Sequence, residues 1–500
     1  MEEQESQKRA KNIKTWIKNP YNLILILILI FAFGIRLYHH NLTQGQTLWW
    51  DESEYMSAAK HWAFDIPYDL NPQRPPLFQF LASILFRIGF TENLIKFTLT
   101  LLPSLFLVYV IYLLGKEMFN KKIGLIAAFL ASFNWSFLFW TARVQPDFIS
   151  MCFQVLAVLF MWRFWKISKT KPIILSGIFA ALGFYFKISA LLVPLSFLVF
   201  ILIKDRLSAL KNKNYYLFAL AFILTLVPFM IWSYLQFGNP IAIFASGYSD
   251  QVVSSVPFGW YNLKFFYSLT NSILFFLFIL GVIIALKFLL YLDILLKEKK
   301  KTFDPNLFSI LVLIIVSAFY IFYIRGTEDR WVFLWLPFIF LLIGNALMFI
   351  YAISKKYFRS IASIIVIVLL LFGAYSHISQ AKSLIDSKKE SYLPIKQAGI
   401  WIKENSNKND VIFSASLPQM TYYSERKTIS FSDVEDKEDF DIFLEEHNPR
   451  YLQVSVFENR SPWMADWLNE NQERLNPVQA LFADAEKQNA ILVVYEVEYA

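Results

Sequence analysis

The chain has 500 residues, of which 56% are hydrophobic and 18% aromatic, and its mean hydropathy is +0.44. A soluble core of this size cannot hide so much apolar surface, so the composition excludes a soluble globular protein and favours a multi-span membrane protein. The net charge of +8 combines an acidic tail, with 10 basic and 19 acidic residues from Pro394 onward, and a basic remainder with 37 and 20. This division favours contact with lipid phosphate over contact with nucleic acid.

The N-terminal residues 1–20 are basic, and an apolar run follows from Tyr21 to Phe33. The run ends without a small-residue cleavage site, so we interpret it as an uncleaved first span. Further apolar stretches predict about eleven transmembrane helices within a domain at 21–385. The predicted spans are 21–38, 94–114, 123–141, 147–163, 172–186, 188–204, 214–236, 264–289, 306–325, 331–351 and 360–379.

The orientation follows from the Lys and Arg residues of the loops. With the N-terminus in the cytoplasm, the inner segments carry 24 of these residues and the outer segments carry 8. An odd number of spans then places the tail outside, so we predict a multi-pass plasma-membrane protein with an extracytoplasmic C-terminal domain. The same orientation places four charged loops on the outer face: the first loop at about 39–92, RVQPD at 143–147, YFKIS at 185–189 and GTEDRW at 326–331.

The first outer loop holds the longest polar interruption of the membrane part, Leu48–Phe80. It contains Trp49-Trp50, the carboxylates Asp51, Glu52 and Glu54, and then Arg74-Pro75-Pro76. Aromatic rings beside carboxylates are typical of a wet site at a membrane interface, although an ordinary acidic juxtamembrane loop is the alternative. We expect two short interfacial helices here, at Glu54–Phe64 and Pro76–Ile88.

Four charged residues of the outer loops admit both a functional and a structural interpretation. The planar guanidinium of Arg143 suits phosphate, whereas Asp147 can cap the helix that follows it. Lys187 interrupts a long apolar run, so its ammonium either reaches the interface along that helix or meets a phosphate in a cavity. Arg330, beside two carboxylates, admits the same two interpretations. A carboxylate such as Asp51 can accept a proton from a reacting hydroxyl.

Metal and redox chemistry receive little support from the residue types. The single cysteine, Cys152, excludes an intramolecular disulfide, and the five histidines lack the spacing of metal ligands. Asp51, Glu52 and Asp147 are oxygen ligands, so a hard divalent cation is possible as a cofactor.

The tail, 394–500, alternates strand and helix patterns and predicts a small soluble α/β domain. The predicted strands are 410–416, 427–431, 450–457 and 490–497. Helical patterns lie between them, and a glycine-rich phosphate fingerprint is absent from the tail sequence. We therefore predict no cofactor for this domain.

Several of these segments resemble the GT-C glycosyltransferases, in particular the protein O-mannosyltransferase and aminoarabinose transferase branch. The shared features are DESEY at 51–55, RPPLFQFL at 74–81, ARVQPDF at 142–148, FKISALLVP at 186–194 and WVFLWLPFIFLL at 331–342 with Arg330 ahead of it. The acidic pair and the Pro-Pro-Leu segment at this spacing are the more specific signals. The resemblance covers roughly residues 20–350 and implies a GT-C-like multi-span helical fold.

The resemblance also implies a reaction. Such enzymes transfer a sugar from a dolichyl- or undecaprenyl-phosphate donor to a hydroxyl of a protein, lipid or glycan on the outer face. It implies that Asp51 is the catalytic carboxylate with Glu52 beside it, and that Tyr55 and Asp147 support the site. The implied donor phosphate-binding residues are Arg74, Arg143, Lys187 and Arg330. An inverting single displacement would need only one carboxylate.

Two alternatives remain open at this point. An oligosaccharyltransferase would share the fold, but its W-W-D-x-G type of motif is not found in the tail, and W-W-D occurs only at 49–51. A non-enzymatic transporter or flippase for lipid-linked sugars would usually carry ionisable residues near the bilayer midplane. The centres of the predicted spans 214–236, 306–325 and 331–351 contain none.

Overall fold

The computed structural model describes residues 18–245, 256–290, 300–326, 328–458, 462–484, 486 and 488–499. The described residues form two compact units. The first contains the chain up to Leu42, Pro72–Pro75 and Lys96–Asp386, and the second contains Thr43–Asn71, Pro76–Ile95 and the chain from Ser387 onward. Most of the predicted basic segment, at 1–17, lies outside the described residues.

The chain up to Lys388 is helical. The helices are α1 (Pro20–Leu42), α2 (Trp50–Phe64), α3 (Leu77–Arg87), α4 (Glu92–Met118), α5 (Lys121–Phe133), α6 (Trp135–Thr141), α7 (Asp147–Ile167), α8 (Thr170–Phe184), α9 (Leu192–Asp205), α10 (Lys213–Phe237), α11 (Ala242–Ala245), α12 (Lys264–Thr270), α13 (Ser272–Leu290), α14 (Lys300–Ala318), α15 (Trp335–Tyr357) and α16 (Ala362–Lys388). Short 3₁₀ turns precede α9, α12 and α15, and π turns interrupt α4 and follow α14.

Every predicted span coincides with a helix or with a bent pair of helices. Among the described residues, eight helices are long and apolar enough to cross a membrane, and up to ten if each bent pair is one span. The bent pairs are α5 with α6, at an angle of 53°, and the segment Trp260–Thr270 with α13, at 114°. The remaining predicted span is α8, which is apolar but only 15 residues long.

Side chains satisfy the backbone where the bent pairs break. The side chain of Asn134 donates from Nδ2 to the carbonyl of Leu269 at 2.8 Å. The ring of His377 accepts from the backbone N–H of Trp135 at 3.2 Å and lies 2.9 Å from the carbonyl of Thr270. A helix can break inside a membrane only where its freed backbone groups find such partners, so this network accounts for both bends.

The second unit contains an α/β domain with a mixed sheet, as the strand and helix patterns predict. Its described residues form the strands β1 (Val411–Ser414), β2 (Lys427–Ile429), β3 (Tyr451–Ser455), β4 (Leu475–Phe482) and β5 (Ala490–Val497), and the helices α17 (Leu393–Asn405), α18 (Leu417–Ser424), α19 (Lys437–His447) and α20 (Met464–Glu470). The strand order is β2-β1-β3-β5-β4. β1 pairs in parallel with β2 and β3, and β5 pairs antiparallel with β3 and β4.

Two elements of this domain are absent from the sequence prediction. β4 contains Pro477 and a break in its register at that residue, which an edge strand tolerates and which hides the strand pattern. α18 has eight residues with Pro418 in its first turn, too short for a clear helical period. The hydrophobic core lies on both faces of the sheet, with Phe413, Phe440 and Trp467 in one cluster and Ile402, Ile412 and Val494 in the other.

The first loop packs against the tail within the second unit. The N–H of Leu48 donates to the hydroxyl of Tyr423 at 2.8 Å, and the Ser57 hydroxyl donates to the carbonyl of Pro418 at 3.2 Å. The loop follows the first span and the tail follows the last one, so both can lie on one side of the membrane only if the number of spans is odd. The predicted eleven spans, with both bent pairs and α8 crossing, satisfy this condition.

Candidate active site

The acidic pair of the first loop lies in the first turn of α2, which begins four residues earlier than predicted. The carboxylate of Glu52 accepts a hydrogen bond from the N–H of Trp49 at 2.6 Å, and only 1% of the residue is exposed. This is the reciprocal half of a capping box, so Glu52 fixes the start of the helix. Asp51 is partly exposed and therefore the better placed of the two to meet a substrate.

Glu54 and Tyr55, which follow the acidic pair, contact other parts of the first loop and stabilise its conformation. The carboxylate of Glu54 accepts from the side-chain amide of Asn71 at 3.2 Å. The buried ring of Tyr55 packs edge-on against Phe78 of α3, with the ring centroids 5.4 Å apart. The ring of Tyr55 therefore supports the site by fixing α2 against α3.

The predicted cations Arg74 and Arg143 lie in two turns of the first unit. Arg74 is partly buried in the segment Pro72–Pro75, where the following proline restricts its backbone. Arg143 is 2% exposed, and its backbone N–H donates to the carbonyl of Trp140 at 3.2 Å in the turn before α7. Neither residue lines the pocket described next.

The structure brings together Asp147, Lys187 and Arg330 in one pocket of the first unit. Gln154, Ser189 and Trp331 also line it, along with apolar side chains of α7, α9 and the turn before α15. The ammonium of Lys187 forms an ion pair with the carboxylate of Asp147. Two cations and one carboxylate from three separate segments thus share a pocket with apolar side chains.

The ion pair shows where the Asp147 and Lys187 side chains point. Asp147 is the first residue of α7, after Pro146, and its carboxylate pairs with Lys187. Lys187 has an extended backbone between α8 and the 3₁₀ turn at Ile188–Leu191, which turns its side chain toward the pocket. An ammonium that reached along its helix to bulk water would not form this pair.

Arg330 is fixed by its acidic neighbour Glu328 and by the aromatic ring of Trp140, a partner that the sequence does not indicate. Its guanidinium lies 4.9 Å above the ring of Trp140, and its Nε donates to the carboxylate of Glu328 at 2.7 Å. The indole N–H of Trp140 donates to Asp329 at 3.0 Å, and the Ser136 hydroxyl also donates to that carboxylate. Nothing in the spacing of Ser136 and Trp140 indicates this contact, because they lie about 190 residues from Asp329.

The surroundings of Asp329 change the pKa of its carboxyl group. Burial raises the pKa of the Asp329 carboxyl, and the hydrogen bonds from Ser136 and Trp140 oppose that shift only in part. Such a carboxyl is a strong acceptor in a site of low dielectric constant. It therefore holds the indole that supports the Arg330 guanidinium.

The possible cation ligands are already engaged in the structure. Glu52 accepts from Trp49, and Asp147 pairs with Lys187. Within the described part of the chain, no group of three or more His, Cys, Asp or Glu side chains is arranged to hold a metal ion. A divalent cofactor at Asp51, Glu52 or Asp147 stays an untested prediction.

Comparison with known proteins gives a family match and several similar folds. Residues 73–232 match the family model described as dolichyl-phosphate-mannose-protein mannosyltransferase. No curated protein matches the sequence significantly. ArnT from Cupriavidus metallidurans bound to undecaprenyl phosphate superimposes with a TM-score of 0.67 at 11% identity, over 94% of this chain and 97% of that chain.

The chain has the GT-C fold.

Two other solved structures share this GT-C fold. The apo oligosaccharyltransferase of Archaeoglobus fulgidus has a TM-score of 0.67 at 14% identity, over 88% of this chain and 70% of that chain. The mycobacterial arabinofuranosyltransferase AftD has a TM-score of 0.53 at 13% identity, over 94% of this chain and 41% of that chain. The predicted multi-span GT-C fold with a small C-terminal α/β domain is confirmed. The family match contains Arg74, Arg143, Asp147 and Lys187, whereas Asp51 and Arg330 lie outside it.

Proposed function

We propose that this protein is a membrane glycosyltransferase that transfers a sugar from a polyprenyl-phosphate donor to an acceptor hydroxyl on the outer face of the membrane. The observation that carries the proposal is the convergence of Lys187 and Arg330 in one pocket of a chain with the GT-C fold. The family match to mannosyltransferases and the undecaprenyl phosphate bound to ArnT support the same reaction class.

The pocket suits the phosphate end of such a donor. A guanidinium and an ammonium make charge-assisted hydrogen bonds to phosphate oxygens, and these strengthen as the leaving group gains negative charge. The apolar wall of Met151, Leu192 and Phe333 offers a surface for the first carbons of the lipid chain. Asp147 offsets the cost of burying the Lys187 ammonium and keeps it oriented when no donor is bound.

The second part of the reaction is assigned to the first loop. Asp51 accepts the proton of the acceptor hydroxyl as its oxygen attacks the anomeric carbon, and the bond from that carbon to the lipid phosphate breaks. Arg74 and Arg143 are proposed as further ligands of the donor phosphate. A single displacement of this kind inverts the anomeric centre and needs only one carboxylate.

The transporter alternative has one structural feature in its favour, since α5 with α6 and the segment Trp260–Thr270 with α13 are broken helices. In transporters the freed backbone groups of such helices bind the substrate or ion. Here Asn134 and His377 occupy backbone groups at these breaks, so the breaks serve packing. An oligosaccharyltransferase-like reaction shares the fold and differs in donor and acceptor, which an assay separates.

The test uses the purified protein in sealed proteoliposomes with radiolabelled polyprenyl-phosphate and polyprenyl-diphosphate sugars. We expect label from a monophosphate donor to enter a protein, lipid or glycan fraction, depending on the acceptor class supplied. Transfer only from diphosphate-linked oligosaccharide would support the oligosaccharyltransferase alternative. Movement of the donor across the bilayer without any transfer would overturn the proposal in favour of a flippase.

A further inference from the structure

The segment that leads into the Asp51 helix is held by side chains. Residues 46–49 have no regular secondary structure, and α2 begins directly after them. The N–H of Trp49 donates to Glu52 of the same helix, whereas the N–H of Leu48 donates to the hydroxyl of Tyr423 in the tail. We propose that the C-terminal domain positions the catalytic carboxylate, with Tyr423 as the positioning residue that fixes the chain three residues before Asp51.

The contact between Leu48 and Tyr423 is buried. Leu48 is 1% exposed and Tyr423 is 6% exposed. A backbone N–H that loses its acceptor in such a place costs the full penalty of leaving a buried donor unsatisfied, so the chain would shift to find another acceptor. Any such shift is transmitted to Asp51, because the first turn of α2 is rigid.

Tyr423 is in turn held by the fold of the C-terminal domain. Its Cβ would lie 2.5 Å from a Cβ added to Gly399 of α17, so α17 and α18 approach each other closely only because residue 399 is glycine. Lys396 of α17 donates to the carbonyl of Gly45 at 2.6 Å and lies 5.5 Å from the ring centroid of Tyr423. The domain therefore contacts the segment before α2 from two adjacent helices.

A second set of contacts holds the other end of α2. The ammonium of Lys60 donates to the carbonyl of Tyr422 at 3.0 Å and to the carboxylate of Glu425 at 2.7 Å. The same carboxylate is bonded by Lys403 of α17, also at 2.7 Å. Both ends of the Asp51 helix are thus bound to α18, which fixes the position and the rotation of the helix.

Position matters for this carboxylate because proton transfer requires its oxygen within hydrogen-bond reach of the acceptor hydroxyl. The inference rests on the proposed function, since it assumes that Asp51 is the base. A small displacement of Asp51 lowers kcat, whereas the donor phosphate still meets its own ligands. We therefore expect a loss of kcat with little change in the KM for the donor.

The test compares Tyr423→Phe with Tyr451→Phe in the full-length protein. Tyr451 is a matched control, because it is 2% exposed and its hydroxyl donates to the carbonyl of Asn405 at 3.0 Å within the same domain. Both variants lose one buried hydroxyl that bonds the backbone, so both should lower the unfolding temperature by similar amounts. We expect Tyr423→Phe alone to lower kcat, by roughly 10- to 100-fold, with the donor KM within about twofold.

Lys60 provides an independent test if Tyr423→Phe folds poorly. Lys60→Met removes the bonds to the carbonyl of Tyr422 and to Glu425, and Lys60→Arg keeps a cation that can bond Glu425. We expect kcat to fall in Lys60→Met and to recover at least in part in Lys60→Arg. Equal kcat values for Tyr423→Phe and Tyr451→Phe, or for Lys60→Met and wild type, would overturn the positioning role.

Failure of this inference is distinguishable from failure of the proposed function. Asp51→Asn reports on the base itself and leaves the side chains of Tyr423 and Lys60 unchanged. If Asp51→Asn keeps wild-type turnover, then the assignment of Asp51 is wrong. If Asp51→Asn is inactive while the Tyr423 and Lys60 variants are fully active, the proposed function stands and the positioning role of the tail does not.

Discussion

The ammonium of Lys60, in the first loop, lies 2.7 Å from the carboxylate of Glu425, about 365 residues later in the chain. Lys403 bonds the other carboxylate oxygen, so two cations share one anion. The pair joins the segment that carries Asp51 to the C-terminal domain. It also requires that the loop and the tail lie on the same side of the membrane, whichever side that is.

This ion pair predicts a pH-dependent contribution to stability. Burial acts to raise the pKa of Glu425, but the hydrogen bonds and the charges of Lys403 and Lys60 together outweigh it, and the pKa is lowered. A carboxylate with a lowered pKa in the folded state stabilises the fold above its unfolded pKa of about 4.3, and the stabilisation is lost as the pH falls through the folded value. Glu425→Gln should therefore be less stable than wild type at pH 7, by roughly 1 kcal/mol, and the difference should shrink as the pH falls below about 4.3 and vanish only below the folded pKa of Glu425. A difference that stays the same from pH 7 down through this acid range would contradict this account.

The ion pair between Asp147 and Lys187 predicts that substitutions of the two residues have non-additive effects on the free energy of unfolding. Removing one partner leaves the other charge poorly solvated, so Asp147→Asn and Lys187→Met should each lower the free energy of unfolding by about 2 kcal/mol. The double variant has no unpaired charge and should be more stable than the sum of the two losses predicts. Thermal unfolding in detergent measures all four proteins of this cycle. Simple additivity of the two losses would show that the residues do not interact in the folded protein.

Substitution of Arg330 can separate the effect of its charge on donor binding from the effect of its planar shape. Lysine keeps the charge but loses the planar fork and the stacking on Trp140, so Arg330→Lys should lower donor kcat/KM by about 10-fold. Arg325→Lys is the matched control, because Arg325 lies just before the same turn and donates to the carbonyl of Val256. It should keep donor kcat/KM within about twofold of wild type. Equal losses in the two variants would remove Arg330 from the phosphate site.

The orientation is testable by labelling single cysteines in intact cells, with Cys152 replaced by serine. Ser432→Cys in the tail should react with a membrane-impermeant maleimide, because the tail is predicted to lie outside. Ser360→Cys, between α15 and α16, should react only after the membrane is opened. Both positions are exposed to solvent or interface, so access and not burial decides the result. The reverse pattern would overturn the orientation but not the odd number of spans.

Hydropathy and charge reveal the elements of this fold but not their partners. The eleven apolar stretches and most of the tail are local signals, because a helix or strand of ordinary length shows its period within a dozen residues. The strand β4 is the exception, since Pro477 disrupts its pattern at the sheet edge. The bends at Asn134 and Asn271 depend on His377 and Gln380, more than 100 residues away in the sequence, so no local sequence pattern predicts them.

The sequence likewise indicates several residues of the candidate site but not the contacts between them. The sequence indicates Asp147, Lys187 and Arg330 as charged residues in outer loops, but it leaves capping and interfacial roles open for each. Only the folded chain shows that Asp147 and Lys187 are partners and that Arg330 shares their pocket. The capping role of Glu52 was also hidden, because Trp49 is not a residue type that usually marks the start of a helix.

Asp51 is proposed as the base of a glycosyl transfer from a polyprenyl-phosphate sugar. The most direct measurement is single-turnover transfer by purified Asp51→Asn and wild-type protein in nanodiscs, with the same labelled donor and acceptor. Asparagine keeps the size of the side chain and loses the proton acceptor, so we expect a rate lower by about 10²- to 10⁴-fold at an unchanged unfolding temperature. Transfer at the wild-type rate by a correctly folded Asp51→Asn protein would contradict the assignment of Asp51 as the base.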